Sequence, residues 1–227
     1  MIIALDGPDG AGKSTQLAHL TGWARDTGRT VRTVGKWEVL DASLVPSARF
    51  LRRTDRSELG RCIAEMPSPA RMMFLAWMNT VTAERARLVP EDLVIIDGYG
   101  IKHAASELVL GCPPVLVSCV TEVTASVDLI VLLDVDPVEA LRRKRGDLTP
   151  YECGTDLSCS PDRFLDHQTA TRAIMLDWAK LRGWPVVEAG PPRTVRRRLI
   201  GLIAQALADP AGDAGRAPSR RTESCDA

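Results

Sequence analysis

The stretch MIIALDGPDGAGKST, residues 1–15, decides the fold of this chain. It begins with the apolar run Ile2-Ile3-Ala4-Leu5, which is typical of a buried parallel strand. The run continues into Gly7-Pro8-Asp9-Gly10-Ala11-Gly12-Lys13-Ser14, which matches the pattern G-x-x-x-x-G-K-[ST] at every fixed position. We therefore predict a strand, a tight loop and a helix that begins near Lys13, which is the context that the pattern requires.

The spacing of this loop suits the binding of a polyphosphate. Glycines let backbone N–H groups turn inward without obstruction by a Cβ atom, and the positive end of the helix dipole points at the same anion. The pattern predicts that Lys13 contacts the β- and γ-phosphates of a nucleotide and that the Ser14 hydroxyl binds Mg²⁺. A glycine-rich turn with a chance lysine is the alternative interpretation. The predicted nucleotide-binding residues are Gly7, Pro8, Asp9, Gly10, Ala11, Gly12, Lys13, Ser14 and Thr15.

The composition favours one α/β domain with a small-molecule ligand. The chain has 227 residues, of which 45% are hydrophobic, and this is enough to bury one core. Its formal net charge is +0, so no overall field favours nucleic acid or a membrane surface as a partner. No apolar run reaches the ~18 residues of a membrane span, and no signal peptide is recognisable. We therefore expect a cytoplasmic protein.

Strands alternate with helices along the chain. This alternation predicts a three-layer, doubly wound parallel sheet of the P-loop NTPase type, with helices on both faces. One domain is expected over residues 1–208, and residues 209–227 have the composition of a disordered tail. Residues 115–124 fit neither pattern clearly. The predicted strands after the first are 30–34, 93–97, 129–134 and 185–189, and the predicted helices include 15–27, 46–59, 70–88, 101–109, 162–181 and 195–208.

Candidate ligand-binding residues follow the strands at their carboxyl ends, where open α/β sheets bind ligands. Lys36 and Trp37 follow the second strand and are either substrate contacts or ordinary loop residues. Asp97 ends the third strand, where an aspartate near a phosphate loop can position Mg²⁺ together with Ser14. A core strand that ends in a solvent-facing aspartate is the alternative. Tyr99 follows and is a further substrate-binding candidate.

One arginine cluster lies on the predicted helix 46–59. Arg49, Arg52, Arg53 and Arg56 recur at three- and four-residue spacing, which places them on one side of a helix. They form either a solvated basic face or a clamp for an anionic acceptor, since the guanidinium fork suits phosphate. Arg49 and Arg53 are the substrate-binding candidates of this cluster.

A second cationic cluster, Arg142-Arg143-Lys144-Arg145, ends the helix that opens at Asp136-Pro137. Adjacent cations repel one another unless an anion binds, so we predict a small, Arg-rich lid over residues 142–161 that closes on the triphosphate. Arg142 and Arg145 are predicted to be catalytic. A solvated helix end is the alternative.

Six cysteines, Cys62, Cys112, Cys119, Cys153, Cys159 and Cys225, form no C-x-x-C pair. Cys153 and Cys159 lie across a glycine-containing loop, which leaves metal binding or redox activity open. Unpaired thiols are the favoured interpretation for a chain of this kind.

The chain resembles the thymidylate kinase family of nucleoside monophosphate kinases over residues 1–208. The most specific part is LDGPDGAGKSTQL, residues 5–17, which includes the carboxylate of Asp9. The run Asp134-Val135-Asp136-Pro137 with the arginines after it resembles the strand and lid, and residues 189–195 resemble the loop against which adenine rests. The resemblance implies transfer of the γ-phosphoryl group of ATP to a small-molecule acceptor, with Mg²⁺, in a homodimeric protein.

Two positions depart from this family. The third strand of the family ends in Asp-Arg, whose arginine grips the phosphate of the acceptor, whereas this chain has Asp97-Gly98. An Asp-Arg pair in the preceding helix of the family addresses the base, and Trp77 and Met78 align there in this chain. Either another cation replaces the missing arginine or the acceptor is not thymidylate. The candidates for that cation are Arg49, Arg53, Lys36 and Lys102.

Three classes of function follow from these departures. The first is a kinase for a nucleoside monophosphate. The second is a kinase for a nucleoside or another small acceptor of specialised metabolism, in which Asp9 would act as the base for an alcohol. The third is a P-loop nucleotide-binding protein that is not a kinase, which the lid arginines disfavour. In the first class Asp9 is expected to face the acceptor and to bind a sugar hydroxyl.

Overall fold

Five parallel strands form the central sheet of this protein in a computed structural model, which describes residues 1–122 and 127–208. The sheet order is β2-β3-β1-β4-β5, and β1 lies at its centre between β3 and β4. The phosphate loop therefore leaves the middle of the sheet. The strands are β1 (Ile2–Asp6), β2 (Val31–Gly35), β3 (Leu93–Asp97), β4 (Leu129–Asp134) and β5 (Val186–Glu188). The predicted doubly wound parallel sheet is confirmed.

Helices connect these strands in the predicted alternation. The unassigned segment contains a helix, and the predicted tail, residues 209–227, lies outside the described residues. None of the helices in the described ranges is long and apolar enough to cross a bilayer. The helices are α1 (Lys13–Asp26), α2 (Arg56–Glu65), α3 (Ser68–Leu88), α4 (Ile101–Val109), α5 (Pro114–Glu122), α6 (Pro137–Lys144), α7 (Pro161–Arg182) and α8 (Pro192–Ala208). Short 3₁₀ helices span Lys36–Leu40, Pro46–Leu51 and Pro150–Cys153.

The two faces of the sheet bury different side chains because successive residues of a strand point in opposite directions. Ile3 and Leu5 of β1 belong to a core that also contains residues of α1 and α8. Ala4 lies on the other face, in a core with Ala83 and Ala86 of α3. The small side chains on that face suit a close approach of α3 to the sheet.

The predicted single helix over residues 46–59 is wrong. A 3₁₀ helix ends at Leu51, and α2 begins only at Arg56. Asp55 interrupts the helical path because its backbone is extended and its carboxylate caps α2, accepting from the N–H of Glu58 at 2.8 Å. The four arginines consequently do not share one helical face.

Candidate active site

A cavity of about 1340 Å³ lies against the carboxyl ends of β1, β2 and β3. The loop over residues 7–16, which we call the P-loop, forms one wall, and residues from α2, α4 and the predicted lid form others. Ala189, Gly190, Pro192 and Val195 also line it, at the loop that resembles an adenine site. The cavity thus extends from the predicted nucleotide site past Asp9 to Lys36, Trp37 and Lys102, and we call the part lined by these three residues the second compartment.

The P-loop has the shape that a phosphate cradle needs. Gly7 has φ of 150°, and a Cβ there would lie 2.3 Å from the carbonyl oxygen of Leu133. Lys13 folds back over the loop and donates to the carbonyls of Gly7 at 2.7 Å and Pro8 at 2.9 Å. Burial lowers the pKa of Lys13, although Asp9 opposes the shift. A phosphate oxygen could take the place of these carbonyls, so the loop fits the β- and γ-phosphates of a nucleotide.

Ser14 and Asp97 both line the cavity, as the prediction of a Mg²⁺ site requires. Hydroxyl and carboxylate oxygens are the ligands that Mg²⁺ prefers, and this ion usually keeps several waters and phosphate oxygens. Within residues 1–122 and 127–208, no group of three or more His, Cys, Asp or Glu side chains could hold a metal ion alone. The donor set therefore suits Mg²⁺ that arrives with a nucleotide.

Asp6 joins the P-loop to the segment after β3, a role that the sequence reasoning missed. Its side chain is 1% exposed, and one carboxylate oxygen accepts from the N–H of Gly7 at 2.7 Å. The other oxygen accepts from the N–H groups of Tyr99 at 2.8 Å and Ile101 at 3.0 Å. A carboxylate that ends the strand before the P-loop was the only signal for this residue in the sequence.

Asp9 is paired with Lys102. The Lys102 ammonium donates to both carboxylate oxygens of Asp9, at 2.9 and 2.7 Å. Burial opposes ionisation of Asp9, but Lys102 and Lys13 outweigh it and hold the pKa of this carboxyl well below its usual range. Asp9 is therefore a permanent acceptor of hydrogen bonds and a poor base, which disfavours the base role considered above for an alcohol acceptor.

Lys36 lies in the same cavity and contacts a histidine that sequence reasoning missed. Its ammonium is 2.5 Å from Nε2 of His103, while Nδ1 of His103 is 3.2 Å from Nδ2 of Asn79. Burial, reinforced by repulsion from Lys102, lowers the pKa of Lys36 to about 7. Burial and the nearby ammonium groups hold the pKa of His103 well below its usual value, so its imidazole is neutral.

The aromatic wall of this second compartment is Trp37. The Arg56 guanidinium lies 4.7 Å from the centroid of the Trp37 ring, and the Lys36 ammonium lies 5.3 Å from it. Both distances are within the range of cation–π contacts. Arg56 and Arg61 of α2 line the cavity.

Four predicted substrate-binding residues do not line the cavity. Arg49 and Arg53 are exposed, because the chain turns between the 3₁₀ helix and α2. The Trp77 ring packs against Phe50 at 5.6 Å instead. Tyr99 packs among core side chains, and burial raises the pKa of its hydroxyl to about 12. The structure brings Lys36 and Trp37 to the cavity and leaves these four outside it.

Three of the four cations of the lid cluster, Arg142, Arg143 and Lys144, have carboxylate partners, so their mutual repulsion does not by itself require a bound anion. Glu139 accepts from Arg142 at 2.6 and 2.8 Å and from Arg143 at 2.7 Å. Lys144 donates to Glu152 at 3.0 Å. Hydrogen bonds from the two arginines lower the pKa of Glu139 to about 2.

Arg143 and Arg142 line the cavity, whereas Arg145 does not. Nη1 of Arg143 donates to the Gly10 carbonyl of the P-loop at 3.1 Å. Arg145 ends α6 in a left-handed conformation with φ of 52° and is exposed. Of the two predicted catalytic arginines, Arg142 is therefore at the cavity and Arg145 is away from it, and Arg143 is the arginine that contacts the P-loop.

The rest of the predicted lid rests on α4 and α7. The Tyr151 hydroxyl donates to Glu107 at 3.1 Å, and the Gln168 amide donates to the Glu152 carbonyl at 2.9 Å. Cys153 and Cys159 in this segment are free thiols, as favoured from the sequence, and burial raises the pKa of Cys153 to about 12. These contacts hold Tyr151 against the second compartment of the cavity.

The curated proteins that are similar to this chain in sequence carry the names thymidylate kinase or probable thymidylate kinase. No family model matches the chain. It is 24% identical to a probable thymidylate kinase of Pyrobaculum calidifontis over 92% of this chain and 98% of that protein. It is 27% identical to thymidylate kinase of Nitratidesulfovibrio vulgaris over 98% and 99% of the two chains. A probable thymidylate kinase of Archaeoglobus fulgidus is 28% identical over 67% of this chain and 74% of that protein.

A solved structure shares the fold. The crystal structure of thymidylate kinase from Ehrlichia chaffeensis matches with a TM-score of 0.58 at 18% sequence identity, covering 89% of this chain and 98% of that chain. At this identity the match establishes the fold. Together with the sequence relatives it confirms that the chain is thymidylate kinase-like.

Proposed function

We propose that this protein is an ATP-dependent kinase that transfers the γ-phosphoryl group of ATP to a nucleoside monophosphate. The observation that carries the proposal is the single cavity in which the P-loop, with Lys13, opens into a compartment lined by Lys36, Lys102 and Trp37. A phosphoryl donor and an anionic acceptor can therefore meet in one cavity. The names of the curated relatives, one thymidylate kinase and two probable thymidylate kinases, support a nucleotide acceptor.

The donor half would bind ATP by backbone and side-chain groups of the P-loop. Lys13 would exchange the carbonyls of Gly7 and Pro8 for oxygens of the β- and γ-phosphates. Ser14 and Asp97 would hold Mg²⁺, which supplies charge neutralisation on the phosphates when it is bound. The loop near Gly190 would receive the adenine.

The lid would stabilise charge on the transferring group. Phosphoryl transfer asks a protein mainly for positioning and charge neutralisation. Arg143 reaches the P-loop carbonyl of Gly10, and Arg142 lines the cavity beside it. Both guanidinium groups are oriented by Glu139, which limits the reorganisation needed when the triphosphate binds.

The second compartment, together with Asp9, would be the acceptor half of the site. Its substrate-binding side chains would be those of Lys36, Lys102, Trp37 and Asp9. Trp37 offers a flat apolar face for a base, and Asp9 is ionised and can accept a hydrogen bond from a sugar hydroxyl. We extend the proposal to a homodimer, as the family resemblance implies. The composition and net charge further favour a cytoplasmic protein without nucleic-acid or membrane partners.

A second candidate function is phosphorylation of an acceptor that carries no phosphate. The observation that favours it is Gly98, which stands where the resembling family has the arginine that grips the acceptor's phosphate. Removing such a contact costs about 2–5 kcal/mol of binding unless another cation replaces it. The two candidates therefore differ in whether a replacement cation exists.

The test is ADP production with purified protein, ATP and Mg²⁺ across nucleoside monophosphates, the matching nucleosides, other alcohols and no acceptor. We expect ADP with at least one monophosphate. Lys13→Ala should abolish turnover and keep the wild-type thermal unfolding curve, while Lys180→Ala on the exposed surface of α7 serves as the matched control. Turnover with unphosphorylated acceptors alone would select the second candidate. Retained turnover in Lys13→Ala would refute both.

A further inference from the structure

Lys36 differs from the other lysines of the cavity in the groups that it contacts. Lys13 is held by carbonyl oxygens, Lys102 by the carboxylate of Asp9, and Lys144 by the carboxylate of Glu152. Among the described residues, Lys36 has a neutral imidazole and the face of an aromatic ring as its neighbours. Its ammonium is therefore a partly buried cation that forms no ion pair with a carboxylate of the described residues.

His103 holds this ammonium at the cavity. His103 lies in the first turn of α4, and Asn79 of α3 lies behind it, 3.2 Å from Nδ1. Gly100 allows this contact, because a Cβ there would lie 2.6 Å from the Asn79 amide nitrogen. A neutral imidazole accepts at one nitrogen and donates from the other, so if Nε2 accepts from Lys36, then Nδ1 must donate.

Asn79 can provide the acceptor that Nδ1 needs. Its Oδ1 is buried with no hydrogen-bond partner among the described residues, while its Nδ2 faces His103. Rotating the side-chain amide of Asn79 by a half-turn exchanges Oδ1 and Nδ2, and Oδ1 then accepts a hydrogen bond from Nδ1–H of His103. The three side chains then form a continuous chain of hydrogen bonds, in which Asn79 orients His103 and His103 accepts from the Lys36 ammonium.

The charges around Lys36 leave it available to an incoming anion. Asp9 is engaged with Lys102, and Asp6 accepts from backbone N–H groups. Lys102 and Lys13 repel the Lys36 ammonium, and Asp9 and Asp6 attract it, but burial and the repulsion prevail and lower its pKa. A buried cation in such surroundings is unfavourable until an anion approaches it.

Two other titratable groups near Lys36 and His103 are also engaged. Glu38, on the same 3₁₀ helix as Lys36, is paired with Arg85. Tyr151 of the lid, whose ring lies 6.0 Å from that of His103, donates to Glu107. Neither neutralises Lys36, so the acceptor half keeps an unpaired positive charge.

We infer that His103, held by Asn79, positions the Lys36 ammonium as the cation for the phosphate group of the acceptor, in place of the arginine that is absent at Gly98. The inference rests on the proposed function and assigns the acceptor to phosphorylated substrates. Because burial lowers the pKa of Lys36 to about 7, a phosphate dianion binds with uptake of a proton from solvent on to Lys36 near neutral pH.

The test compares Lys36→Met, Lys36→Arg and His103→Gln with wild type. Titration calorimetry measures binding of thymidine monophosphate, the other natural nucleoside monophosphates and their nucleosides, and initial rates give KM and kcat separately. His167→Gln is the matched control, since His167 is similarly buried, contacts Ser106 at 2.8 Å and does not line the cavity.

Lys36→Met should raise Kd and KM for the monophosphate by about tenfold or more, with KM for ATP and nucleoside binding unchanged. Lys36→Arg should recover most of this loss. His103→Gln should raise KM for the monophosphate severalfold, and adding it to Lys36→Met should change little further. Proton uptake on monophosphate binding, measured in two buffers of different ionisation enthalpy, should disappear in Lys36→Met.

An unchanged monophosphate Kd in Lys36→Met, or an equal loss of nucleoside binding, would overturn the inference. That outcome is distinct from failure of the proposed function, in which wild type itself produces no ADP with any monophosphate. An effect of His167→Gln as large as that of His103→Gln would assign both histidines a structural role and would also overturn the inference.

Discussion

The Lys102 ammonium lies 2.9 and 2.7 Å from the two carboxylate oxygens of Asp9, so the carboxylate of the P-loop that faces the acceptor half is already part of an ion pair. Both side chains are mostly buried, with 16% and 17% of their surface exposed. Two charges in such a place depend on each other, because removing one leaves the other without compensation.

This pair should behave as a unit in a double-mutant cycle. Asp9→Asn and Lys102→Met should each lower the free energy of unfolding, and the double variant should lose less than the sum of the two. We expect a coupling of about 1–3 kcal/mol, measured by urea unfolding at pH 7. Additive losses would mean that solvent screens the pair.

Arg143 should matter more to turnover than Arg145. Arg143 lines the cavity and donates to the P-loop carbonyl of Gly10, whereas Arg145 is exposed and does not line the cavity. Arg143→Met should lower kcat about 100-fold, as removal of a charge-stabilising donor does. Arg145→Met should change kcat by no more than about twofold, as typical surface substitutions do. The reverse order in steady-state assays would restore Arg145 as the catalytic residue.

The sequence predicted the central strand and the loop after it correctly because their signals are local. The strand before the P-loop, the loop itself and the apolar run that ends at Asp97 are each contained in a few consecutive residues. Hydrophobic periodicity and short motifs report such features directly. The sheet and the positions of Lys13, Ser14 and Asp97 at one cavity followed from them.

The acceptor side could not be predicted in the same way, because its contacts join distant parts of the chain. Lys102 is 93 positions from Asp9, and His103 is 67 positions from Lys36. Periodicity contains no information on such pairs. The prediction of one helix over residues 46–59 failed for a local reason, because the carboxylate of Asp55 caps a new helix that begins at Arg56. The regular spacing of the arginines gave no sign of this interruption. The partner of the lid arginines, Glu139, was detectable three and four residues earlier.

Asp6→Asn should destabilise the protein, because the Asp6 carboxylate accepts from three backbone N–H groups that belong to two segments. Asparagine keeps one oxygen and turns an NH₂ group towards donors that then have no acceptor. We expect a loss of about 2–3 kcal/mol in the free energy of unfolding and weaker ATP binding, measured by urea unfolding and calorimetry. Asp177→Asn on the exposed surface of α7 is the control. A loss no larger than that of the control would show that water replaces these contacts.

Lys36 makes the stability of the protein depend on pH in a specific direction. Burial and repulsion from Lys102 lower its pKa from 10.5 to about 7. Below pH 7 it is protonated in both states, and the folded state bears the full cost of the buried charge. Between pH 7 and 10.5 the unfolded state binds more protons at this residue, so its contribution to the free energy of unfolding rises with pH.

Lys36→Met should therefore be more stable than wild type at pH 6, by an amount that shrinks as the pH rises from 7 to 9. The slope of this difference can reach about 1.4 kcal/mol per pH unit, the limit for one proton. Urea unfolding at a series of pH values measures it, and Lys180→Met at an exposed position should give a difference that does not vary with pH. A constant gap for Lys36→Met would mean that the folded protein solvates this ammonium as well as the unfolded chain does, and the acceptor half would then hold no uncompensated cation.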